Sequence, residues 1–211
     1  SFTLFNNELA VTKRVTVVLD SIIKVHETNK KLLVIQAEKA KIIEAVEQNL
    51  DPLKNAKDLF VYDEKFKRFG LAFDVEFIYG KSKIQANNLI NKNAVHDLKT
   101  VGNSLIELID KLRVQKSNNI KFKDISYLIV VSGSASDFGE SEYRNYTKSY
   151  ERAYYLYKFW QQEGIDLDDD KYHDLVEFQI AGNGIGGVGR FEDQEKNQRF
   201  IINIIPKIGE I

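Results

Sequence analysis

The stretch Tyr127-Leu-Ile-Val-Val-Ser-Gly-Ser-Ala-Ser-Asp137-Phe-Gly-Glu-Ser-Glu142-Tyr-Arg-Asn145-Tyr-Thr-Lys-Ser149-Tyr-Glu-Arg152-Ala-Tyr154 decides the fold. Tyr127–Val131 is a short apolar run, as expected of a strand buried on both faces. A loop of small residues follows, Ser132 to Gly139. From Glu142 to Gln162 the pattern is helical and rich in Tyr, with Gly164 as a stop. Upstream, Leu59–Tyr62 and Leu71–Tyr79 read as two strands joined by a charged turn around Asp63–Lys67. In the second, Leu71, Phe73, Val75, Phe77 and Tyr79 share one face, a period-two pattern that fixes register. Ala94–Val114 is an amphipathic helix with Leu98, Val101, Leu105, Leu108, Ile109 and Leu112 on one side. Downstream come a strand at Leu175–Ala181, a glycine cluster at Gly182–Gly189 and a last strand at Arg199–Ile205. From residue 59 the order is β-hairpin, α, β, α, β, β. Strands alternating with helices predict an α/β fold, a two-layer sandwich with helices packed on a mixed sheet.

The N-terminal residues 1–58 differ. Steps of three and four from Val15 visit Val18, Ile22, Val25, Asn29, Leu32, Gln36, Lys39, Ile43, Val46 and Leu50, and eight of these eleven positions are apolar. No Gly or Pro interrupts the run until Asp51-Pro52, the expected stop. The segment therefore reads as a long N-terminal helical linker with a heptad-like seam, a coiled-coil candidate preceding a domain at 59–211. At 1.5 Å per residue, such a helix is ~60 Å long, so it packs on a partner, folds back or projects.

The 211 residues carry 30 Lys and Arg against 31 Asp and Glu, a net charge of −1. That balance argues against duplex nucleic acid and against a polybasic membrane patch. The 43% hydrophobic content supports a real core. The absence of cysteine excludes disulfides, thiolate zinc sites and a cysteine nucleophile. No apolar run approaches the ~20 residues of a membrane span. The chain begins at Ser1 and holds no methionine, as expected of a trimmed or processed piece, which leaves room for a membrane anchor cut away upstream.

On the helix after the small-residue loop, Asn145, Ser149 and Arg152 lie within ~60° of one another, and Asp137 stands in the loop that feeds it. The set offers one anion, one planar cation and two neutral hydrogen-bonding groups. An amino-acid head group needs those types, Asp for an ammonium and Arg for a carboxylate fork. By spacing alone the plainer reading stands ahead: a solvated helix face with an Asp–Arg ion pair.

The order Asp137-x7-Asn145-x2-Lys148-Ser149-x2-Arg152-Ala153, the later Gly182-Asn-Gly184 and Asn197-Gln-Arg199-Phe200, and the earlier Phe77-Ile-Tyr-Gly80-Lys-Ser82-Lys-Ile84 resemble the peptidoglycan-binding domain of OmpA-like and MotB-like proteins, over roughly residues 59–206. The resemblance implies noncovalent binding of the diaminopimelate stem peptide of peptidoglycan, without cleavage and without a cofactor. It implies that Asp137 and Arg152 clamp the amino and carboxyl groups. Asn145 would hydrogen-bond the ligand, Arg199 would close the pocket beside Asn197, and Ser149 would either touch the ligand or brace the helix. The chain departs from the family pattern at several positions. Ser134 stands in a Gly place, with Gly133 one residue earlier, Ile78 stands where an Asp often follows the strand-one Phe, and the spacer between Ala153 and the last strand is long and acidic. Gly139 comes one place early after Asp137, Lys148 replaces a Leu, and Gln198 replaces the first Arg of an Asn-Arg-Arg run. The implied setting is periplasmic, tethered through an N-terminal anchor. The implied partners are peptidoglycan, a second copy of the chain, and a membrane motor or channel subunit. The rival reading keeps the fold as a protein-interaction and dimerisation module that has lost wall binding.

Other features carry less. Gly182–Gly187 imitates a dinucleotide fingerprint, but the required helix and further parallel strand do not fit in the remaining residues, so it reads as a flexible turn. Asp166, Asp168, Asp170, Asp174 and Glu177 fall at positions 1, 3, 5, 9 and 12 of a Ca²⁺-loop template, with Lys171 where the template needs Gly. A solvated acidic loop is the expectation. The three His have no metal-ligand spacing, and no nucleophile arrangement is evident, so no catalytic centre is expected. The Tyr143–Tyr157 run with Trp160 offers rings that could stack on sugars or bases, but it is expected to fill the helix–sheet interface and its rim.

Overall fold

In a computed structural model of the chain, residues 2–209 are described, with side chains from residue 11 onward. They divide between Ala45 and Val46 into two compact units.

The first unit is helix. α1 spans Phe2–Asn49, and its final turn belongs to the second unit. With no helix breaker before Pro52, the helix runs unbroken. The seam residues Val15, Val18, Ile22, Val25, Leu32 and Ile43 are all about half-exposed, as are Val17, Leu19, Ile23 and Val34 off the seam. Among the described residues no helix is long and apolar enough to cross a membrane.

The second unit begins where Val46, Leu50 and Leu53 are buried. The expected stop is met. α1 ends at Asn49, and a short α2 (Asp51–Asn55) restarts with Pro52 in its first turn, where the missing N–H costs nothing. β1 (Phe60–Asp63) and β2 (Arg68–Leu71) form a hairpin whose turn is closed by the Asp63 carboxylate, which accepts the N–H groups of Lys65 and Phe66. α3 is Ala94–Asn118, β3 Ile125–Gly133, α4 Glu142–Gln162, β4 Val176–Gly182 and β5 Phe200–Ile208. The sheet order is β1-β2-β5-β3-β4. β3 and β4 are parallel and the other pairs antiparallel, so the sheet is mixed, with helices packed on it. This is the expected α/β sandwich. β3 pairs with β5 along all nine residues, and Ile129, Val131 and Ile202 at its centre are fully buried. Trp160, also fully buried, donates its indole N–H to the Leu98 carbonyl at 2.7 Å and so ties α4 to α3.

Two expectations are corrected. The strand expected at Leu71–Tyr79 ends at Leu71. Beyond it the chain leaves the sheet, and only Phe77 makes an isolated bridge, to Leu89. β2 pairs with β5 only at Phe69 and Gly70, so the chain that follows has no ladder to join. The period-two pattern reports burial instead, with Val75 and Phe77 buried and Asp74 exposed between Phe73 and Val75. Four tyrosines of α4 are not at the interface: Tyr143, Tyr146, Tyr150 and Tyr154 form an exposed stripe, while Ala153, Leu156 and Trp160 face the core and Tyr157 packs on the Phe178 ring of β4 at 5.2 Å.

Candidate functional site

β3 ends at Gly133, and the chain turns through Ser134, Ala135 and Ser136, all three buried, before α4 begins. Backbone bonds hold this loop from two sides. Ser134 N–H donates to the Arg199 carbonyl at 2.9 Å, and Ala135 N–H to the Gly184 carbonyl at 2.8 Å. Ser141 caps α4 by accepting the Arg144 N–H. The first inward-facing turns of α4 therefore stand over the ends of β3 and β4.

Beside the loop lies a cavity of about 290 Å³ whose walls include Phe77, Tyr79, Ser136, Glu140, Asn145 and Arg152. Arg152 is only 8% exposed. Its guanidinium lies 4.6 Å from the Phe77 ring centroid and donates from Nη1 to the Ser134 carbonyl at 3.3 Å. Its Nε is buried without a hydrogen-bond partner, and so is the Ser136 hydroxyl. Among the described residues no carboxylate makes an ion pair with Arg152. Burial pushes this arginine down to about 10, against the charges of Glu140 and then Glu151, which hold it up. A buried cation with an idle donor and a buried idle hydroxyl thus belong to the wall of one cavity, and buried polar groups left unpaired call for a partner.

Of the six residues expected to bind ligand, the structure brings two, Asn145 and Arg152, to this cavity. Asn145 is buried and its amide donates to the Glu140 carbonyl at 3.2 Å, fixing the loop as it enters the helix. Asp137 is exposed. Its carboxylate accepts the Gly139 N–H at 3.3 Å, and its charge bears on Arg190. Ser149 is fully buried: its hydroxyl accepts the Gly184 N–H at 2.9 Å and donates to the Tyr146 carbonyl at 2.9 Å. Asn197 is fully buried too, exchanging two 2.9 Å bonds with the backbone of Phe191. Arg199 lies over the Phe191 ring, donates to the Gly189 carbonyl at 2.6 Å, and lines a neighbouring cavity of about 520 Å³. Burial lowers its basicity first, then the charges of Arg68 and Arg190. The bonds of Ser149 make it a brace. Ser149→Ala should therefore cost about 1–3 kcal/mol by stranding the Gly184 N–H. Chemical denaturation would read that loss, and ligand binding by the folded fraction should persist.

Sequence reading missed Ser136, Glu140 and Tyr79, which line the cavity. The signal for Glu140 was the glycine displaced by one place: Gly139 takes a φ of 78° and ends the loop early, with Glu140 next.

No family model and no curated protein sequence matches the chain. Solved structures do. The chain is similar to the periplasmic domain of Helicobacter pylori MotB, at 15% identity over 71% of this chain and 89% of that one, with a TM-score of 0.38. It is similar to the OmpA-like domain of FopA1 from Francisella tularensis, at 18% identity over 73% and 84%, with a TM-score of 0.38. It is also similar to the peptidoglycan-associated lipoprotein of Burkholderia pseudomallei, at 15% identity over 63% and 88%, with a TM-score of 0.33. At these identities the properties of the site rest on its own residues.

The acidic loop is used locally. Asp166 accepts the Asp168 N–H at 3.0 Å, and Asp169 accepts that of Lys171 at 3.0 Å. Among the described residues no group of three or more His, Asp or Glu is placed to hold a metal ion.

Proposed function

We propose that this chain binds peptidoglycan noncovalently, as an OmpA-like or MotB-like wall-binding domain, and that Arg152 receives a carboxylate of the stem peptide. The observation that carries this reading is the guanidinium buried against Phe77 with Nε unpaired, on the wall of a cavity that Ser136, its hydroxyl also unpaired, lines as well. A carboxylate entering this cavity would offer the arginine an acceptor and supply the negative charge that burial leaves it without. Three acids, the amides of Asn145 and Gln198, and Lys148 share the cavity wall with apolar residues such as Phe77, Ile90 and Phe138. On this reading the chain works in the periplasm and anchors a membrane-tethered partner, a motor or channel subunit, to the wall. The test is pelleting with purified peptidoglycan sacculi in the presence and absence of free diaminopimelate. Co-sedimentation that the free amino acid displaces is the expected result. Absence of pelleting, or pelleting that diaminopimelate leaves untouched, counts against the site.

A second assignment concerns α1 and stands on a separate observation. Six apolar seam residues of α1, from Val15 to Ile43, stay about half-exposed in one copy. Burying such a seam favours association with a second copy, with Asn29 as the polar position that sets register. Sedimentation velocity should show a dimer, and the double substitution Ile22→Glu with Val25→Glu should give a monomer with its α/β unit intact. A monomeric wild-type chain would sink the assignment.

A further inference from the structure

An amino-acid head group has an ammonium as well as a carboxylate, and Asp137, expected to hold the ammonium, is not on the cavity wall. Three carboxylates are: Glu76, Glu140 and Glu195. Glu76 and Glu195 also line the neighbouring cavity. The charge of Glu195 bears on Glu76 together with those of Asp74 and Asp193, so that pair belongs to an acidic cluster on the shared wall. Glu140 is placed differently. Its carboxylate accepts the Tyr79 hydroxyl at 3.2 Å, and its backbone is fixed by the Asn145 amide at 3.2 Å. Of the two carboxylates whose charge reaches Arg152, Glu151 is engaged by the Ser82 hydroxyl at 3.1 Å and does not line the cavity. Glu140 does, and it makes no ion pair among the described residues.

We propose that Glu140, and not Asp137, receives the ammonium of the ligand while Arg152 receives its carboxylate. This rests on the reading of the Arg152 cavity as the wall-ligand site and names what that site selects: a free amino-acid end bearing both charges, in preference to a plain dicarboxylate. An ammonium between Glu140 and the guanidinium-bound carboxylate is attracted by both, whereas an uncharged methylene in its place leaves Glu140 facing a like charge. Asp137 keeps a different task. Its carboxylate caps the Gly139 N–H and so sets the turn that delivers Glu140 to the wall.

The experiment is calorimetric titration with two probes of equal chain length, meso-diaminopimelate and pimelate, which lacks both amines. Proteins are the intact chain and its Glu140→Gln, Asp137→Asn and Glu195→Gln variants. Glu140→Gln should weaken diaminopimelate by about tenfold or more and leave pimelate unchanged or tighter, while the other two variants stay within about twofold of wild type for both probes. Asparagine at 137 still offers a carbonyl oxygen to Gly139, so that variant removes the charge and keeps the turn. If Asp137→Asn causes the selective loss, or Glu140→Gln weakens both probes alike or neither, the assignment of Glu140 is overturned while the Arg152 site stands. If the wild-type chain binds neither probe, the site and the assignment fall together.

Discussion

Arg152→Met is expected to abolish pelleting with sacculi while leaving the folded chain as stable as wild type or more so. The two effects have one cause. The guanidinium is 8% exposed and burial lowers it to about 10, so the fold holds a cation that water would solvate better. Against that cost stand one 3.3 Å bond to the Ser134 carbonyl and the stacking on Phe77. Replacing a poorly compensated buried ion by an apolar chain of similar length is commonly neutral or stabilising, and here a gain of up to about 2 kcal/mol is expected. Methionine also keeps a contact with the Phe77 ring. Loss of the charge-assisted bonds to a bound carboxylate should cost about 2–5 kcal/mol of binding, enough to remove co-sedimentation. The pH dependence has a definite sign. A base whose folded pKa lies below its unfolded value burdens the fold while protonated, and the burden lifts as pH rises through the folded value. The stability advantage of Arg152→Met over wild type should therefore be full at neutral pH and shrink above about pH 10. Paired urea melts at about pH 7 and about pH 10.5 measure it. A variant that loses stability at neutral pH would make Arg152 a structural tie and remove the main support for a ligand at this place.

What could be read in advance divides along physical lines. The bounds of α4 at Glu142 and Gln162 were legible, because a capping Ser141, an unbroken helical pattern and Gly164 act locally. β3 and β5 were legible as apolar runs, though each extends two or three residues farther, where pairing with the other continues the ladder past the apolar core. The course of residues 72–79 was not legible, since alternation reports burial and is silent on whether a neighbouring strand is present. In the site, Asn145 and Arg152 were legible because they share one face of a regular helix. The course of the loop before them was not, because spacing counted along a loop carries no direction: Glu140 lines the cavity and Asp137 does not. Four tyrosines of α4 were misplaced for a related reason. Leu156, Ala153 and Trp160 already fill the inward face, so the same periodicity sends Tyr143, Tyr146, Tyr150 and Tyr154 outward.

The glycines supply the other large effect. Gly133→Ala should lose stability and wall binding together. Gly133 and Gly182 are register partners at the ends of the parallel strands β3 and β4, directly beneath α4. A methyl at Gly133 would sit 2.2 Å from the Ser149 carbonyl oxygen, and one at Gly182 would sit 2.6 Å from the Tyr150 backbone nitrogen. Those are backbone atoms in the middle of a helix, so no side chain can rotate away, and α4 itself must lift. Overpacking costs ~1–3 kcal/mol where side chains can adjust, and a rigid helix puts Gly133→Ala at or beyond the top of that range. The lifted helix carries Arg152 away from Phe77 and from the Ser134 carbonyl, and carries Ser149 away from Gly184, so the cavity goes with the fold. Neither glycine has a positive φ, which means close approach and not backbone freedom requires them, and Gly182 is a packing residue more than part of a flexible turn. Gly80 supplies the contrast. Its φ is +78°, but a methyl there would meet nothing within 4 Å, so Gly80→Ala should cost only the ~1–2 kcal/mol of a left-handed alanine. Urea melts of the two variants, with sacculus pelleting of each, make the comparison. If Gly133→Ala proved no worse than Gly80→Ala, α4 would not rest on the glycine pair, and the placement of Arg152 over the loop would need another support.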